Sequence, residues 1–369
     1  MNSSRQAGLK FLSVWKDPRL FLSLSIDEQD LCLRMARRAG LLSRLAWRLT
    51  DEKLTDGLTT KVQNHLDGAR IVAQEDARML RWEVNRIQRA MKGSDVPITL
   101  LKGAAYLLSD LPMAQGRLVA DVDILCRKED LKTVEDRLVK QGWSGVKLEP
   151  YDQRYYRDWM HELPPLRHTE RMTEVDVHHA ILPMTGRLKP DSSLLLADRI
   201  LLAGETNLWT LSAVDMTLHA VVHLFHDSDF DKGLRGLTDL DGLFRHFGQQ
   251  PSFWQELIPR ARTLNLARPL YYALRMGEKM VSTPLSESVK QTIQVDAPSP
   301  WVGWLMESLM ERMMVPGHPE KKDPLSWVAW LLLFIRSHWL RMPPGLLFSH
   351  LTRKWVRRWR FDVRNRRTV

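Results

Sequence analysis

The chain has 369 residues, 44% of them hydrophobic, enough for two or three compact units around a sizeable core. Lys and Arg outnumber Asp and Glu by 54 to 44, a surplus of +10 that favours anionic partners (nucleotides, nucleic acid, phospholipid headgroups) without choosing among them. Cys32 and Cys126 are too few for a disulfide framework, and the polar first ten residues predict no secretory leader; both fit a reducing cytoplasm.

Residues 1–94 are predicted to be helical. Asp27-Glu28-Gln29-Asp30 forms an acid-rich first turn, and the pattern runs on to Leu49. Between Thr59 and Met91, apolar residues at Val62, Leu66, Ala69, Val72, Ala73, Ala77, Leu80 and Val84 make one buried stripe, with Gly93 as the stop. The other face is charged, so a solvated helix packed on the central unit is favoured over a separate binding surface.

Residues 95–185 form the predicted α/β core. A short apolar strand, Ile98 to Leu101, runs into Lys102-Gly103 and an apolar helical turn, Ala104 to Leu108. After Pro112, Gly116 and Arg117 comes a second apolar run, Leu118 to Leu125, broken only by Asp121 and Asp123. Two apart on a strand, these carboxylates share one face beside Gly103. Their desolvation is costly unless a cation sits between them, and Mg²⁺ prefers one or two carboxylates plus phosphate oxygens. Gly103 lets backbone N–H groups approach a phosphate closely. Glu129 to Lys140 fits a helix closed by Gly142-Trp143. Leu166–His168 and Thr173–His179 then fit a hairpin around Glu170-Arg171-Met172, with Glu174, Asp176 and His178 on one face, as on a sheet edge with one wet side.

Lys102-Gly103, Arg117, Asp121-Val122-Asp123-Ile124-Leu125 and Glu174-Val175-Asp176-Val177-His178-His179 together resemble a family of bacterial uncharacterised nucleotidyltransferases within the DNA polymerase beta superfamily. The likeness covers roughly Pro97 to Leu182, with a weaker echo as far as Asp241. Where the wider superfamily carries Gly-Ser, this chain has Gly103-Ala104 and lacks that hydroxyl. The resemblance implies Asp176 as a third carboxylate and general base, Glu174 being the fallback. It also implies two divalent ions, Mg²⁺ (or Mn²⁺), about 4 Å apart on Asp121, Asp123 and Asp176. Lys102 and Arg117 are then triphosphate contacts. From the residues alone, Lys102 equally serves to neutralise the carboxylates, Arg117 to bridge Asp121, and His178 either to position an acceptor or phosphate or to act structurally.

Residues 186–324 turn helical again. Ser212 caps a predicted helix to Phe225 that carries His219, His223 and His226 on one face. Ala220 stands where a zinc protease needs Glu, so a face lining the cleft is favoured over a zinc site. Asp227, Asp229 and Asp231 do not complete a calcium loop, because Gly233 comes one place late and Thr238 replaces the final Glu. Arg235, Asp239 and Asp241 either contact substrate or tie two helices together, and the tie is favoured.

In residues 325–369, the run Trp327 to Ile335 is short of the ~20 residues of a membrane span. A strongly basic stretch from Arg353 follows, with Trp355 and Trp359 four apart. An anionic membrane surface, a nucleic-acid backbone with indole stacking, and a core helix with a basic tail all remain open.

The expected fold class is α+β: a small mixed-sheet nucleotidyltransferase core flanked by N- and C-terminal helical regions. The expected function is metal-dependent transfer of an NMP group from an NTP to an unidentified small-molecule, sugar or peptide acceptor, of the kind used in bacterial polysaccharide or natural-product pathways. The substrate contacts are Lys102, Gly103, Arg117, His178, Arg235 and Asp239. The alternative is a non-catalytic protein of the same fold binding nucleic acid or a membrane surface. The expected location is cytoplasmic, peripheral to the membrane if the basic end rests there.

Overall fold

The computed structural model describes residues 3–145, 155–226, 230, 232–321 and 323–347. Its centre is a seven-stranded sheet of β1 (Ile98–Leu100), β2 (Asp121–Leu125), β3 (Trp143–Gly145), β4 (Leu166–His168), β5 (Glu174–His178), β6 (Ile200–Leu201) and β7 (Leu208–Thr210). The spatial order is β3-β4-β5-β2-β1-β7-β6. β2 pairs with β5 and β1 with β7 in parallel, and the other neighbours are antiparallel, so the sheet is mixed. With helices before and after it, this is the α+β architecture expected.

Two expectations about the sheet are corrected. β5 is an inner strand between β4 and β2, not an edge; its polar face meets other polar side chains, His178 lying against Asp123 and Glu162, so alternation alone could not tell edge from interior. The sheet also extends past residue 185, because β7 adds to the free side of β1, with Ile98 opposite Leu208.

The N-terminal flank comprises α1 (Ser3–Lys16), α2 (Ile26–Arg38), α3 (Leu42–Asp51) and α4 (Thr60–Ala90). The acidic turn at Asp27 belongs to a capping box: Ser25 accepts the Glu28 N–H, and Glu28 accepts the Ser25 N–H at 3.0 Å. The expected single helix to Leu49 is broken by Gly40 at φ +69°, a left-handed position that a glycine adopts without strain. α4 buries Val62, Leu66, Ala73, Leu80 and Val84, but Val72 faces solvent at 56% exposure.

Within the core, α5 (Lys102–Leu108) follows β1 and α6 (Leu131–Lys140) follows β2. Beyond the sheet's start come α7 (Ser192–Ala197), α8 (Ala213–Phe225), α9 (Gly233–Phe247), α10 (Pro251–Thr263), α11 (Ala267–Val281), α12 (Glu287–Gln294), α13 (Pro300–Met314) and α14 (Pro324–Arg341). Ser212 caps α8 by accepting the Asp215 N–H, and α8 packs against α9, α10 and α11. No helix among the described residues is long and apolar enough to cross a membrane. The basic stretch with Trp355 and Trp359, and Asp227, Asp229 and Asp231, lie outside the described residues.

Candidate active site

The site is built on the parallel pair β2–β5. Their register sets Asp121 opposite Glu174, Asp123 opposite Asp176 and Leu125 opposite His178. Val122, Ile124, Val175 and Val177 are all buried, so the hydrophobic residues of both strands pin the register while the acids share the other face. Asp123 is itself buried and acts as the hub: Lys102 Nζ donates to its Oδ1 at 2.7 Å, and His178 Nε2 lies 3.0 Å from the same oxygen. Glu162 Oε2 stands 3.4 Å from the far nitrogen of that imidazole.

These contacts order the charges. Burial alone would raise the Asp123 carboxyl, but the Lys102 ammonium and His178 outweigh it and hold it far below the usual carboxylate range. Burial likewise opposes the Lys102 ammonium, and Asp123 more than offsets it, leaving Lys102 above its ordinary value. Asp121 is raised by burial and by Asp123. Asp176 is pushed up to about 7 by burial, then by the charges of Asp123 and Glu162. One carboxylate is thus firmly ionised and its neighbour holds a proton easily.

Arg117 does not bridge Asp121. Its Nε donates to Asp239 Oδ2 at 3.0 Å, and its guanidinium lies 5.5 Å from the centre of the Tyr106 ring. Asp239 is buried on α9, and its other oxygen is taken by Arg44 of α3, which also donates to Thr238 Oγ1 at 2.8 Å. Asp239 therefore ties α9 to α3 and to the segment before β2. Arg44 and Arg117 depress its carboxyl despite burial. Gly103 is required by the same arrangement, since a Cβ there would overlap the Arg117 guanidinium and Val119. The room over this glycine holds a side chain. Lys102 itself takes φ +46°, a costly position for a residue with a Cβ.

A cleft of about 380 Å³ opens in front of Asp121 and Asp123. Lys102, Arg117, His223 and Arg235 line it, as does Lys232 of the segment before α9. Arg235 reaches the Leu118 carbonyl at 3.4 Å, and burial followed by the charge of Arg117 lowers its guanidinium. His219 is buried and kept well below the ordinary imidazole range by burial and by Lys102. Asp241 turns away, accepting from Arg245 at 2.9 Å and from Thr283 at 2.8 Å.

Ligand atoms of Asp123, Asp176 and His178 all lie within 4.8 Å of one another, and His161, Glu162 and His178 form a second such group. Asp121 lies outside both. The donor set fits a divalent ion: carboxylates suit Mg²⁺ or Mn²⁺, an imidazole is better tolerated by Mn²⁺, and a cation would relieve the repulsion that raises Asp176. Glu162, His161, Tyr106 and Lys232 escaped the sequence reading. Glu162 and His161 precede β4 with no pattern to mark them, and only their pairing with His178 reveals them.

Residues 26–282, more than half of the chain, match the sequence model of a family described as uncharacterised nucleotidyltransferase. No curated protein and no solved structure matches the chain.

Proposed function

Since the chain belongs to the family of uncharacterised nucleotidyltransferases, we propose that it moves an NMP group from an NTP onto a hydroxyl of a small-molecule, sugar or peptide acceptor, using Mg²⁺ (or Mn²⁺) at Asp121, Asp123 and Asp176. The observation that carries this reading is the β2–β5 register, which sets Asp176 beside Asp123, and Asp123 in turn lines a cleft walled by cations. Bound divalent ions would supply charge neutralisation at the transferred phosphate and hold the attacking and leaving oxygens in line.

The chain's own groups do the rest. Asp176 takes the acceptor's hydroxyl proton, as a carboxylate beside the reacting hydroxyl can. The acceptor oxygen then bonds to the α-phosphorus, the α–β bridge bond breaks, and pyrophosphate leaves with its electron pair. Arg235, Lys102 and Arg117 bind the phosphates, and Asp239 aims Arg117. His178 holds Asp123 in place. An acceptor from polysaccharide or peptide natural-product chemistry belongs to the same reading.

One observation favours a second reading, a non-catalytic protein of the same fold. Lys102 already neutralises Asp123, as a site without metal requires. Calorimetric titration with each of the four NTPs and Mg²⁺ separates the two. Metal-dependent binding of one NTP by the wild type, lost in Asp121→Asn/Asp123→Asn, is the expected result. A folded wild type that binds none of them overturns the transferase reading.

A further inference from the structure

α14 is an 18-residue helix with only Ala329, Leu333 and Ser337 buried, a single row at i, i+4 and i+8. That row fixes the helix along the body of the protein. Arg336 beside it points inward, donating to the Phe225 carbonyl at the end of α8 at 3.0 Å. Leu340 and Arg341 accept bonds from Arg187 and Thr185, on the segment that follows β5. The helix therefore packs along α13, and is tied at Arg336 to the C-terminal end of the helix that carries His223 and at Leu340 and Arg341 to the segment after the strand that carries Asp176.

The opposite side is apolar and open to water. Leu325, Val328, Leu332, Ile335 and Trp339 form an exposed stripe at alternating spacings of three and four, with Ile335 at 55% exposure. Trp327, Trp330 and Phe334 widen it, Trp327 at 64%. A soluble surface seldom leaves so large a contiguous apolar stripe without a partner.

We propose that this face docks on an anionic lipid surface, with α14 lying in the plane of the headgroups. Three features choose this occupant. The exposed aromatics are mainly indoles, the side chain most at home at a membrane–water boundary. Residues 337–369 contain nine Lys or Arg against a single acid, Asp362, so the neighbouring sequence complements negative headgroups. The inward anchoring of Arg336 and the bonds at Leu340 and Arg341 suit a helix resting on a bilayer rather than entering one. A nucleic-acid backbone would gain nothing from Leu325, Val328, Leu332 and Ile335.

The test is co-sedimentation of the full chain with phosphatidylcholine vesicles made with and without phosphatidylglycerol. The expected result is pelleting that requires the anionic lipid. It should fall about tenfold or more in Leu332→Ser/Ile335→Ser, two solvent-facing changes, and should weaken with added salt. A wild type that stays in the supernatant, or a double variant that pellets equally well, overturns the proposal. So does a wild-type dimer by light scattering that the double variant loses while neither binds vesicles, since the occupant is then a second copy. If the double variant fails to fold, brominated acyl chains in the anionic vesicles decide on the wild type alone: quenched tryptophan emission supports docking, and unchanged emission overturns it.

Discussion

The β2–β5 cleft and the α14 helix both invert the common rule for where side chains go, in opposite senses. In the cleft, Asp123, His178, Arg44 and Asp239 are charged or polar and buried. On α14, Trp327, Trp330 and Ile335 are apolar and exposed. A buried charge survives only if it is paired, and each here is: Asp123 with Lys102 and His178, Asp239 with Arg44 and Arg117. An exposed apolar side chain needs no partner to persist, because the cost is borne by the solvent contact alone. The cleft is thus held by specific pairwise bonds, so breaking one is costly. The helix is held by one buried row, so its outer face is free to change.

The sharpest way to break this contrast is Asp239→Ala. It leaves the buried Arg44 and Arg117 guanidiniums without their shared carboxylate, and a loss of about 3–5 kcal/mol in urea unfolding is expected. A loss below about 1 kcal/mol would mean that other groups solvate both arginines.

Asp176→Asn tests the cost of ionising an acid that is buried and set beside other acids. Because its folded-state value is raised to about 7, Asp176 binds a proton in the folded chain that the unfolded chain releases near the ordinary carboxylate value. Its contribution is fully present below that ordinary value and is lost as pH rises through about 7. In chelator, the Asn variant should therefore gain on the order of 2 kcal/mol over wild type at pH 8 and less at pH 5. Thermal unfolding at the two pH values checks this, and an equal effect at both would show that ionising the buried Asp176 is not what costs stability.

The smallest effect is expected on the outer face of α14. Leu332→Ser/Ile335→Ser should change unfolding free energy in the absence of lipid by about 0.5 kcal/mol or less per residue. A loss above about 2 kcal/mol would show that this face is covered within the chain.

Much of the cleft was legible in the sequence because its signals are local. Asp121 and Asp123 two apart, the turn at Glu170-Arg171-Met172, the Ser212 cap and the Lys102-Gly103 step each depend on neighbours within a few residues. What stayed hidden depends on distance along the chain. The Arg44–Asp239 pair spans 195 residues, and nothing around either residue marks the other. Arg117 reads equally well as a partner for Asp121 until Asp239 is seen beside it. Glu162 gains meaning only when the chain returns it to His178.

The sequence by itself determined the periodicities: helical flanks, short strands, which residues on each strand share a face, and hence which acids could act together. That information lies in the geometry of single elements, which repeat every 3.6 or 2 residues whatever they pack against. Tertiary structure alone decided that β5 lies inside the sheet, that β7 extends the sheet beyond residue 185, and that α8 is covered on most sides while the similarly apolar α14 is not. Those outcomes turn on which surfaces meet, and apolar composition supplies the drive to bury a face without naming the surface that will cover it.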